Sequence, residues 1–61
     1  MKPEVRLTDV DGNVFMIIGT VRKALQRAGL NDEAEEFTKK AHNAESYDKV
    51  LQLCFEYCEV S

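Results

Sequence analysis

The sequence predicts a mostly α-helical fold of the α+β class, in which a short N-terminal strand is followed by three helices and a tail able to form a short C-terminal strand. Three observations lead there. Asp11 to Leu30, DGNVFMIIGTVRKALQRAGL, reads as a turn, an N-cap, a helix and a glycine stop. Residues 31–42 open with acidic and close with basic side chains, as the dipole of a helix favours. From Tyr47 to Cys58 apolar residues recur at three- and four-residue steps.

The chain has 61 residues and is read as one domain, residues 1–61, near the lower limit at which a single core is stable without help. In residues 4–10, EVRLTDV, Val5, Leu7 and less cleanly Val10 alternate with Arg6 and Thr8, the pattern of a half-buried strand. Pro3 suits a strand entrance, where no ladder donor is needed.

The first helix is expected over 14–28. Asn13 stands at its N-cap, and Gly29 takes the left-handed C′ position with Leu30 packing back on the last turn. Val14, Ile17, Ile18, Val21, Leu25 and Ala28 form one stripe that can face a core. Phe15 and Met16 lie off the stripe, so the first turn is apolar nearly all round and is either buried on several sides or in contact with a partner. The main alternative is a short strand over 14–17, which would move the helix start to about residue 18 or 19.

A second helix is expected over 32–42 with Asn31 as its cap, Asp32, Glu33, Glu35 and Glu36 near its positive end, and Lys39 and Lys40 four residues after the two later glutamates. Ala34, Phe37 and Ala41 give it a narrow apolar stripe, so it should lie against the first helix as a hairpin with Phe37 as anchor. A third helix is expected over 46–58, capped by Ser46, with Lys49 where a full capping box would have Glu. Its wide apolar face comprises Tyr47, Val50, Leu51, Cys54, Phe55 and Cys58. The tail after it can pair with the N-terminal strand of its own or a neighbouring subunit, since a lone strand leaves its backbone groups unpaired.

Composition excludes several classes. With 44% hydrophobic and 31% charged residues the balance is that of a globular domain, and no apolar run approaches a membrane span. MKPEVRL shows no apolar signal segment after its lysine, so export is not expected and the cytoplasm is the expected setting. A net charge of −3 argues against general nucleic-acid binding. Cys54 and Cys58 are spaced to share a metal ion, yet His42 is the sole histidine and no further ligand motif accompanies them. Buried free thiols are the better account, and no metal or cofactor is expected. Asp9, Asp11 and Asn13 resemble the start of a calcium loop, but Phe15 and Ile17 fall where oxygen ligands are required. No set of residues supplies acid, base and nucleophile, so an enzyme is not expected. Small size without disulfide or metal support points to self-association, as a homodimer or larger closed oligomer.

Binding chemistry is concentrated on the first helix. Arg22, Lys23 and Arg27 occur between Asn13 and Asn31 without an acidic residue, although the chain has 11 acidic and 8 basic residues. Complementing the helix dipole explains such a segregation plainly. A sharper reading starts from Phe15, Gly19, Arg22 and Gln26, which helical spacing places on one side. Glycine in mid-helix costs roughly 1 kcal/mol relative to alanine, so a close approach should compensate. Helix packing is the plainer form of that approach, and a ligand held between an aromatic face and a guanidinium is the other.

Over Val10 to Gly29 the chain resembles a family of very short proteins of phages, prophages and bacteria with the pattern DGN-x-F-x-I-I-G-x-V-R-x-A-L-x-x-A-G, matched by Asp11, Gly12, Asn13, Phe15, Ile17, Ile18, Gly19, Val21, Arg22, Ala24, Leu25, Ala28 and Gly29. Tyr47-Asp48 before an apolar helix is a second point of likeness. The resemblance implies a fold and a setting rather than an activity. By analogy of setting with small phage proteins that sequester nucleotide signals of host defence, Arg22 with Lys23 or Arg27 would hold phosphates. Phe15 or Tyr47 would then stack a base, with Asp11 and Asn13 bonding to base or ribose edges. The competing expectation is an adaptor or inhibitor that binds a host protein through the surplus apolar surface of the first and third helices.

Overall fold

The computed structural model describes residues 2–7 and 13–60. Their elements are β1 (Glu4–Val5), α1 (Val14–Arg27), α2 (Asn31–His42), α3 (Tyr47–Tyr57) and β2 (Glu59–Val60), a mostly α fold with a small β part. α1 and α2 form an antiparallel hairpin with the most extensive packing among the described residues, and α3 packs against both. No helix among the described residues is long and apolar enough to cross a membrane.

α1 starts and stops as its sequence demands. The Asn13 Oδ1 accepts the backbone N–H of Phe15 at 2.9 Å, which excludes the alternative strand over 14–17. At the other end Gly29 adopts φ +79°, the Leu30 N–H donates to the Leu25 carbonyl at 2.9 Å and the Gly29 N–H to that of Gln26 at 3.0 Å. This paired arrangement ends α1 at Arg27 with Ala28 as its C-cap, one residue earlier than expected.

The same turn corrects the start of α2. Leu30, fixed by its bond to Leu25, also supplies the carbonyl that accepts the Ala34 N–H at 2.9 Å. It is therefore the N-cap, without a side-chain bond, and Asn31 is already helical. With three residues between the helices, no position remains for Asn31 as a cap. Of the two expected ion pairs of α2, Lys40 with Glu36 forms at 3.2 Å, and it is the one salt bridge among the described residues.

The core is Ile17, Ile18, Val21 and Leu25 of α1 against Ala34, Phe37 and Ala41 of α2 and Val50 and Cys54 of α3, closed by Val5 and Cys58. Phe37 is fully buried and meets the Tyr57 ring edge-on at 5.6 Å. The Tyr57 hydroxyl donates to Glu36, whose same oxygen accepts from Lys40, so a polar clip ties α3 to α2 beside the core. α3 is capped by Ser46, whose Oγ accepts the Lys49 N–H at 3.3 Å, and it ends at Tyr57 with Cys58 as extended C-cap.

Two expectations about the outer elements change. Of the strand expected over 4–10, Glu4–Val5 pairs and Arg6 and Leu7 do not, while Thr8, Asp9 and Val10 lie outside the described residues. The tail sets this limit: β2 pairs parallel to β1 of its own chain through Glu4 with Glu59 and Val5 with Val60, and offers no longer partner among the described residues. The Pro3 carbonyl accepts the Glu59 N–H at 2.9 Å, consistent with proline at the strand entrance. On α3 the apolar face is narrower than expected, because Phe55 is exposed.

Candidate functional site

Four large apolar side chains stay outside the core: Phe15 is 68% exposed, Met16 56%, Phe55 58% and Tyr47 44%. Two of them share a cleft. It lies where the start of α1 meets the α2–α3 connection and encloses about 470 Å3, with Val14, Ile18, Ala41 and Val50 as its apolar wall and Phe15, His42, Glu45, Ser46 and Tyr47 around it. The Phe15 and His42 rings are 6.4 Å apart and tilted by 39°. Aromatic surface facing water at such a place is costly unless something covers it.

The hairpin assembles this cleft. Phe15 precedes Gly29 by fourteen residues and His42 follows it by thirteen, so antiparallel helices bring the two side by side. That near symmetry about Gly29 is available in the sequence, and His42 is the last residue of α2, where the helix expected over 32–42 also ends.

The cations of α1 go elsewhere. Lys23 and Arg27 line a hollow of about 330 Å3 against β1, with Glu4 and Arg6. Arg22 faces α2 in a hollow of about 240 Å3 lined by Glu35, Thr38 and Lys39. The structure thus unites Phe15 with Tyr47 and Lys23 with Arg27, and separates both pairs from Arg22. Asn13, expected to bond to base or ribose edges, has its Oδ1 engaged in capping α1. Asp11 lies outside the described residues.

Gly19 is not where helices pack. A methyl group there would meet nothing within 4 Å among the described residues, because the glycine lies opposite the Ile17-Ile18-Val21-Leu25 stripe. The helical cost of this glycine is therefore uncompensated among the described residues.

Other chemistry is quiet. Burial first, and then the neighbouring Cys58 sulfur, push the Cys54 thiol up to about 11, and burial raises Cys58 as well, so neither is an activated thiolate. Among the described residues no three His, Cys, Asp or Glu side chains gather as a metal site. The hydrogen bond from Tyr57, followed by that from Lys40, holds the Glu36 carboxyl below its usual range. Compared with protein-family models, curated proteins and solved structures, the chain matches none.

Proposed function

We propose that this chain is a small non-enzymatic binding protein that meets other protein through the apolar side chains outside its core. The observation that carries this reading is the exposure of Phe15 and Tyr47 across one apolar-walled cleft. In this reading the cleft takes a bulky apolar side chain of a partner, and the resemblance to short phage proteins makes a host protein the natural candidate. Phe55, equally exposed but outside the cleft, is the residue that an interface between copies would cover in a homodimer or larger closed oligomer.

Site-specific photo-crosslinking in the producing cell tests the cleft. A benzoylphenylalanine in place of Phe15 or Tyr47 should capture a protein, whereas the same group in place of Glu33, on the outer face of α2, should not. Equal capture at all three positions, or none at any, would remove the cleft from the binding surface.

A second reading rests on the same aromatic pair. Phe15 and Tyr47 could stack a nucleobase in the cleft, with the cationic helix face holding phosphate. It requires a ligand that spans separate hollows, since Arg22 and the Lys23–Arg27 pair do not line the aromatic cleft. Calorimetry with cyclic dinucleotides and ADP-ribose discriminates between the readings: binding lost in both Phe15→Ala and Arg22→Ala would support the nucleotide reading.

A further inference from the structure

Across the α2–α3 connection from the aromatic cleft, with Ala44 common to both, lies a groove of about 490 Å3 between the end of α2 and the outer side of α3. Its floor is apolar, from Ala44 and Leu53, and its rim carries Lys39, Lys40 and Lys49 against one carboxylate, Glu56. In a chain of net charge −3 with 8 basic residues, three of those are gathered here. The one salt bridge among the described residues occupies Lys40, so Lys39 and Lys49 present ammonium groups without an ion-pair partner among them.

Lys49 is the informative residue. It occupies the third position of α3, with its N–H on the Ser46 cap, at the positive end of the helix dipole. A glutamate there would complete the capping box, and a lysine is unfavourable. A local rule broken at the rim of a groove is the mark of a residue kept for binding.

We propose that this groove docks an acidic segment of a partner protein, with one bulky apolar side chain seated on Leu53 and flanking carboxylates paired with Lys39 and Lys49. Lysines are compact point charges rather than forks, and here they stand along the rim of an open groove, which suits carboxylates spaced along a chain around an apolar anchor. Of the chain's own acidic runs Asp32 to Glu36 is the densest, and it does not fit, because its apolar side chains, Ala34 and Phe37, are buried in the core. A second copy seated in the groove, seen as shifts at the groove residues that grow with protein concentration alone, would overturn the proposal. The site is independent of the aromatic cleft and stands or falls without it.

The test titrates the isotope-labelled protein, followed by backbone amide NMR, with a synthetic peptide in which glutamates flank a central Leu-Phe pair. Controls are the same peptide with every Glu replaced by Gln, and decanoate. Shifts should centre on Lys39, Ala44, Lys49 and Leu53, weaken with salt and be absent with the Gln peptide. Lys49→Glu should bind at least about tenfold more weakly while melting at a higher temperature, because it completes the capping box. The melt shows that lost binding is not lost folding. No shifts with the acidic peptide, shifts on α1 instead, undiminished binding by Lys49→Glu, or decanoate binding there in preference to the peptide would each overturn the proposal.

Discussion

Phe37 and Phe15 belong to two helices of one hairpin, yet the first is fully buried and the second 68% exposed. Phe37 stands on the side of α2 that faces both α1 and α3, where every neighbouring row is apolar. Phe15 stands at the open end of the hairpin, where no further element among the described residues lies over it. The comparison shows how a chain of 61 residues divides its few aromatics between stability and surface. One end of the hairpin is closed by a tight turn and a packed ring, and the other is left as a cleft.

Removing the two rings should therefore have opposite consequences. Phe37→Ala should cost about 3–5 kcal/mol, enough to unfold a domain this small. Phe15→Ala should change stability by less than about 0.5 kcal/mol and act on binding alone. Denaturant titrations of both variants check this. Equal losses would mean that Phe15 is part of the core and that the cleft is an extension of it.

The two glycines of α1 and its stop sharpen the same contrast at a smaller scale. Gly29→Ala should destabilise by about 1 kcal/mol, because φ +79° is disfavoured for any residue with a Cβ. Gly19→Ala should stabilise by up to about 1 kcal/mol, since the added methyl meets open space and alanine favours the helix. Thermal melts give both signs. If Gly19→Ala is more stable and also loses self-association or partner binding, the glycine is kept for close approach by another molecule.

The smallest effect concerns the clip of Tyr57, Glu36 and Lys40. The Glu36 carboxyl is held below its usual value of 4.5, so its contribution is present above that pH and is lost as acid protonates it. Burial, and then the bond to Glu36, raise the Tyr57 hydroxyl above 10.0, so its contribution is present below that value and is lost at higher pH. The difference in melting temperature between the wild type and Tyr57→Phe should be constant between the two values and shrink on either side. Because Glu36 and Lys40 are solvated, that difference should amount to no more than a few degrees. A difference independent of pH would assign Tyr57 to packing alone.

Most of the hairpin was legible because its signals are local. Asn13 and Gly29 announce the ends of α1, and the apolar spacing of Val21, Leu25 and Phe37 announces the core. The errors lie where one residue serves two elements or where a partner element decides. Leu30 both closes α1 and opens α2, which displaces Asn31 from its expected cap. The extent of β1 is set by the two residues of β2, not by the alternation of residues 4–10. Phe55 and Tyr47 are spaced like core residues, and they are exposed because no element among the described residues covers that side of α3. Of the expected site residues, Phe15 and Tyr47 line one cleft, whereas Arg22, in helical register with Phe15, faces α2 because the second helix packs along that flank of α1. The lysine groove was not legible: in the sequence Lys49 is only a departure from the capping box, and Lys39 and Leu53 join it through the packing of α3 on α2.

The central claim is that the apolar side chains outside the core exist to meet protein. A native mass spectrum of the protein as it comes from the cell tests it most directly. The account predicts copies of the chain joined to one another, without nucleotide-sized additional mass. A chain that carries a nucleotide-sized adduct and no protein partner would contradict it.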